Sequence, residues 1–343
     1  AVSTPNYDPD NVPNIDENKD KYEGIYVNRF TQTTYVPGSV FKLVNALIGL
    51  EEEVVYPGTK YPCRMGYHFG RNKLGCHAHK SPLNFEESIM MSCNAYYCYI
   101  LRDLLENKKY PSIGIAMDKW KEYVMSFGFG QKLGSDFPSE LGGFIPGSGY
   151  YNKVYGKGGW KATTVISLSI GQGEIGTTPL HMANLCATIA NRGFYYIPHI
   201  IKDSEHVEID PKYKKRQYTM VDTTHFPKVV GGMYRAVNSG FGSGGTASIA
   251  AVEGLEICGK TGTAQNPHGK DHSTFLAFAP KDNPQIAISV YVENGGFGSS
   301  VAAPIASLLI EQYINGKTER EWLVDYIKSM KIAYPNYEKR GKK

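Results

Sequence analysis

Three short groups of residues could do chemistry, and they fall in a fixed order: Ser39-Val-Phe-Lys42, Ser92-Cys-Asn94 and Lys260-Thr-Gly-Thr263. A serine and a lysine three positions apart share one helix face, so Lys42 can reach the Ser39 hydroxyl and accept its proton. A free lysine, with a pKa of about 10.4, is a poor base at neutral pH. Burial, a second cation such as Lys260 and the positive end of a helix dipole all push that value down. Ser92 can relay the proton to a leaving amine, while Asn94 can hold both the lysine and a substrate backbone by hydrogen bonds. On a strand, Lys260 and Thr261 offer a charge and a hydroxyl to a carboxylate, and Gly262 lets a ligand lie against the backbone. The N–H groups of Ser39 and Thr263 suit an oxyanion. Taken singly, such triplets are more often helix caps or solvated first turns. All three in this order are specific.

A second constellation is rich in sulfur. Of the six cysteines, Cys63, Cys76, Cys93 and Cys98 lie close together, whereas Cys186 and Cys258 stand alone in apolar surroundings and read as small buried hydrophobes. Cys63, Cys76, His79 and Cys93 make a Cys3His set, a closed tetrahedral environment for a structural Zn2+, and the gap between Cys76 and His79 suits a loop that turns both onto one ion. Two other readings stay open: a Cys63–Cys76 disulfide, and free buried thiols beside solvated His77 and His79.

Elements must position these groups. From Ser39 to about Glu51 apolar residues recur every three or four positions after Pro37-Gly38, which predicts a buried helix with Ser39 at its start. Similar patterns predict helices over 85–105 and 179–191, and the glycine-rich stretch 127–176 predicts long surface loops around a helical region. Later the pattern changes. Runs over 273–279 and 285–293, split by Pro280-Lys-Asp-Asn-Pro284, predict a hairpin; 255–265 supplies a third strand and 300–313 a covering helix. The fold class expected is α/β of the α+β type: an antiparallel sheet built late in the chain, an early helix against it, and a helical insertion between.

The 343 residues, 41% hydrophobic and 20% charged, describe a globular chain and exclude disorder, a fibre or a coiled coil. Basic and acidic residues nearly balance, 37 against 33, and the 25 tyrosines do not sit among Lys/Arg clusters, so no nucleic-acid partner is expected. Only the tail with Lys339, Arg340, Lys342 and Lys343 is locally basic, a solvated end. No window is long and apolar enough for a membrane span. The opening Pro/Asn/Asp-rich stretch reads as a cut from a longer protein.

The serine–lysine, serine–asparagine and lysine–threonine–glycine trio resembles that of penicillin-binding proteins and β-lactamases. Longer blocks narrow the resemblance to class B penicillin-binding protein transpeptidase domains, and among them to the penicillin-binding protein 2 branch: Val2 to Pro9, Tyr35-Val-Pro-Gly-Ser39, Ser169-Ile-Gly-Gln-Gly-Glu174, Thr178-Pro-Leu-His-Met-Ala183, Gly259 to Gln265 and Phe278-Ala-Pro280. The resemblance spans residues 2 to about 315. It implies the penicillin-binding/β-lactamase-like transpeptidase fold, with 1–55 and 225–330 forming the sheet-containing part and 56–224 a mainly helical subdomain.

The same resemblance implies a serine D,D-transpeptidase without a catalytic cofactor, acting on a peptidoglycan pentapeptide stem ending in D-Ala-D-Ala and acylated by β-lactam antibiotics. It further implies a location at the periplasmic face of the inner membrane through an anchor and pedestal outside this chain, beside a SEDS-family glycosyltransferase. Some members of the branch carry a zinc whose ligands include the middle residue of the second motif. Cys93 matches that position and His79 a second, whereas Cys63 and Cys76 stand where acidic ligands are expected. A D,D-carboxypeptidase is the near alternative, and a β-lactam sensor a more distant one. A β-lactamase needs a deacylation base in an ExxLN setting, for which Glu140 in Pro138-Ser-Glu-Leu141 is the nearest and a poor match.

Overall fold

The computed structural model describes residues 1–4, 24–202, 207–240 and 242–332. Most of the Val2 to Pro9 block and the basic C-terminal tail lie outside them.

A 3-10 turn at Gly38–Phe41 runs directly into helix α1 (Lys42–Glu51). Every α1 residue from Lys42 to Leu50 is buried, as its apolar run on all sides requires of a central helix. A small hairpin follows, β1 (Gly66–Phe69) and β2 (Asn72–Gly75), paired antiparallel.

The single helix expected over 85–105 is two, α2 (Phe85–Met90) and α3 (Asn94–Leu105). Asn84 opens α2 with a capping box closed by Glu87. Its end is forced by Ser92, whose φ of 53° is left-handed and incompatible with continuing the helix. Buried apolar residues continue on both sides of the break, so only the backbone reversal separates the two helices.

Helices α4 (Ile113–Ser126), α5 (Pro179–Ala190) and α6 (Phe226–Asn238) lead to the sheet, β3 (Cys258–Ala264), β4 (His272–Ala279) and β5 (Ile286–Val292). The described strands pair antiparallel in the order β3-β4-β5, with Lys260 opposite Leu276 and Thr274 opposite Tyr291. Helix α7 (Ala302–Asn315) then covers the sheet. One face packs on the main core with α1, α2, α3 and α5, and the other forms a second core of Phe275, Ala277, Ala303, Ala306 and Ile310 with α7. Cys186 and Cys258 are fully buried, as expected of small hydrophobes.

Candidate active site

The serine turn is set by what glycine permits. Gly38 has a φ of 63°, and a Cβ there would lie 2.7 Å from the Thr263 carbonyl oxygen. Only glycine allows both the left-handed backbone and this approach, which brings the Ser39 turn against the end of β3. The Gly38 N–H donates to Gly171 O at 2.9 Å, and Gly171, also left-handed at 68°, has no room for a side chain beside Gly38 O and Phe41. Gln172 Nε2 donates to Thr263 O at 3.4 Å. Lower on α1, Asn45 accepts from Trp120 Nε1 at 2.8 Å and donates to Leu168 O and Ser169 O at 3.1 and 2.9 Å. A buried amide satisfied this way fixes the helix axially as well as laterally.

Lys42 is wholly buried, and its Nζ donates to Ser92 O at 2.7 Å, Ser92 Oγ at 3.2 Å and Asn94 Oδ1 at 2.6 Å. Ser39 Oγ is not among its partners, contrary to the simplest reading of the i, i+3 spacing. An ammonium has three protons, and the serine–asparagine motif takes all three. Loss of one proton leaves a lone pair for a neighbouring hydroxyl.

Burial lowers the Lys42 pKa to about 8, against a smaller opposing pull from the nearby cysteines. Lys260 is also wholly buried, donating to Ser92 Oγ at 2.7 Å and Thr261 O at 2.8 Å. Its pKa falls well below the usual lysine value, first through burial and then through the Lys42 charge. Of the expected causes, burial is the one that acts on Lys42, while the charge effect between the two lysines falls on Lys260. Ser92 Oγ receives a proton from each lysine and keeps its own O–H to give. It stays in a left-handed backbone that most side chains avoid.

Asn94 differs from expectation in one arm. Its Oδ1 holds Lys42, but one Nδ2 proton goes to Gly75 O at 2.7 Å, so that arm also grips β2 and has one proton left for a substrate backbone. Gly262 differs too. A Cβ there would run into Thr274 and press on Val40, so the missing side chain makes room for the serine turn and β4 instead of a ligand. Thr261 points the other way, its hydroxyl donating to Thr246 Oγ1 at 3.2 Å. Glu140 is buried, with one oxygen taken by Leu133 N and the other by Ser135 N and Oγ. It ties its own loop and is no water-activating base.

Donor atoms of Cys63, Cys76, His79 and Cys93 all lie within 4.8 Å of one another. Thiolates on one tetrahedral Zn2+ sit about 3.8 Å apart, so the set fits that ion with small movements. All six cysteines are free thiols. The His79 Nδ1 donates to Lys80 O at 2.6 Å, which fixes the tautomer and leaves Nε2 unprotonated, 3.4 Å from Cys76 Sγ. The Cys76 thiol is held far below its ordinary pKa, chiefly by a hydrogen bond from Cys93, with further bonds from His77 and the Asn94 N–H. Cys93, giving its proton to Cys76, is pushed far up by that bond and by burial. Of the set, Cys76 is the sulfur whose surroundings most favour the thiolate that a metal requires.

The donor set touches the lysine network directly. Asn94 N donates to Cys76 Sγ at 3.2 Å, and Cys93 caps α3 by accepting from Tyr96 N at 3.5 Å.

The penicillin binding protein transpeptidase domain family model matches residues 1–311. The chain is 30% identical over 330 residues to the peptidoglycan D,D-transpeptidase MrdA of Acinetobacter baumannii, covering 88% of this chain and 46% of that protein. Among solved structures, it is similar to Pseudomonas aeruginosa PBP2 in complex with WCK 5153, with TM-score 0.79, 30% identity, and coverage of 94% of this chain and 72% of that one. It is similar also to a chain of a peptidoglycan synthase complex that coordinates polymerization and crosslinking, with TM-score 0.77, 25% identity, and coverage of 93% and 54%. The chain spans about half the length of the curated relatives it matches. With the serine turn, the two buried lysines and the fold all in agreement with that match, the chain belongs to the penicillin-binding protein transpeptidase domain family.

Proposed function

We propose that this domain is a serine D,D-transpeptidase that cross-links peptidoglycan stem peptides and is acylated by β-lactams. One observation carries the reading: two buried lysines converge on Ser92 Oγ, at 3.2 and 2.7 Å, beside the turn that presents Ser39. Such an arrangement moves protons between a hydroxyl nucleophile and a leaving amine. Neutral Lys42 takes the proton of Ser39 Oγ as that oxygen bonds to the carbonyl carbon of the penultimate D-Ala. The N–H groups of Ser39 and Thr263 hold the oxyanion. Ser92 donates a proton to the departing terminal D-Ala amine and is reprotonated from Lys42. An acceptor amine then attacks the ester, with the proton transfers reversed. Lys260 and the Thr261 hydroxyl hold the substrate carboxylate, as a cation and a donor on one strand can.

Cys63, Cys76, His79 and Cys93 hold a structural zinc in this reading. Bound there, the ion would organise the loop behind Asn94 and supply no step of the reaction. The full-length protein would stand at the periplasmic face of the inner membrane and work beside a SEDS-family glycosyltransferase. No helix among the described residues is long and apolar enough to cross a membrane.

The test is release of D-Ala from a pentapeptide, followed with and without an added amine. A transpeptidase forms the amide product in proportion to the amine, and water as the sole acceptor would assign a D,D-carboxypeptidase instead. Lys260 gives a sharper check of binding. Lys260→Gln is expected to slow acylation by a free-acid penicillin by about a hundredfold and acylation by its amide by far less, since a charge-assisted bond is worth about 1.5–3 kcal/mol. Equal losses with both ligands would remove the carboxylate role.

A further inference from the structure

The loop between α6 and β3 carries a threonine that no motif includes. Thr246 donates its hydroxyl to Met90 O at 3.1 Å, and its N–H reaches the same carbonyl at 3.4 Å. Met90 ends α2, two residues before Ser92. On its other side Thr246 Oγ1 accepts from the Thr261 hydroxyl at 3.2 Å. Thr246 therefore bridges the serine–asparagine turn and the lysine–threonine–glycine strand; Met90 O can only accept, whereas the hydroxyl–hydroxyl bond to Thr261 can reverse its direction.

A threonine hydroxyl has one proton to give. Without ligand, that of Thr261 goes to Thr246, and that of Thr246 to Met90 O. A carboxylate arriving at Thr261 needs the Thr261 proton, which leaves Thr261 Oγ1 short of a partner. The Thr246 proton can turn from Met90 O to fill that place, because the Thr246 N–H still serves Met90 O. The chain then runs Thr246 O–H to Thr261 O–H to carboxylate, and serial bonds of one direction polarise one another. Resting on the carboxylate reading above, we propose that Thr246 is a positioning residue for carboxylate recognition, which aims and polarises the Thr261 hydroxyl without touching the ligand.

The test measures second-order acylation rates with benzylpenicillin and with its methyl ester. Thr246→Val is expected to slow the free acid about fivefold, the value of one hydrogen bond, and the ester less than about twofold. Thr246→Ser, which restores the hydroxyl, should stay within about twofold of the parent for both. Thr261→Val/Thr246→Val should be no slower than Thr261→Val alone. Equal slowing of acid and ester by Thr246→Val, or a Thr246→Ser as slow as Thr246→Val, overturns the proposal and leaves the carboxylate reading intact. If Thr261→Val itself slows acid and ester equally, that reading fails and the role of Thr246 falls with it. Thr246→Ala carries the same comparison if Thr246→Val does not fold, and an unchanged free-acid rate in that variant also overturns the role.

Discussion

Ser39→Ala is expected to abolish the covalent adduct: intact-mass analysis after penicillin treatment should show one added ligand on the parent chain and none on the variant. An adduct that survives would sink the assignment of the nucleophile. Lys42→Ala should slow acylation by at least about a thousandfold, and the double variant should be no worse than either single one, because groups acting as a unit are non-additive. The pH dependence follows from burial. With its pKa at about 8, Lys42 is mostly an ammonium at pH 7 and mostly a free base by pH 9. Only the base can take the Ser39 proton. Acylation should therefore speed up as pH rises, with its midpoint near 8, and a rate flat from pH 6 to 9 would exclude Lys42 as the base.

The second large effect concerns sulfur. Purified protein is expected to hold about one equivalent of zinc, and Cys76→Ser should lower that below a tenth while slowing acylation, because Asn94 N loses its thiolate partner. Chelation should lower the melting temperature by about 5–10 °C, as expected when a structural ion is removed from a domain of this size. A parent protein with almost no zinc, and with two thiols missing from a titration, would instead indicate a Cys63–Cys76 disulfide.

Local chemistry was legible from the chain in order. Ser39 precedes a buried helix, β4 and β5 form the hairpin that Pro280 to Pro284 announce, and α5 and α7 fall within a few residues of their apolar patterns. Cys63, Cys76, His79 and Cys93 converge as donor-type spacing suggests. What resisted reading was long-range or conformational. Nothing local marks Asn45 and Trp120 as partners, or Gly171 as the wall behind Gly38. Thr246 lies in a glycine-rich loop that reads as a plain connection. The reversal at Ser92 is invisible to periodicity, since a left-handed residue costs little signal in a pattern of apolar side chains. Gly262 was misread for a related reason: glycine reports a close approach but not which neighbour makes it.

Ser92 Oγ, the meeting point of both lysines, also bears on drug resistance. On the proposed transpeptidase reading, a β-lactam and a stem peptide would draw on the same proton relay, so a substitution at this hub is expected to slow reaction with both. Changes that weaken the drug alone would then have to act where the two molecules differ in shape.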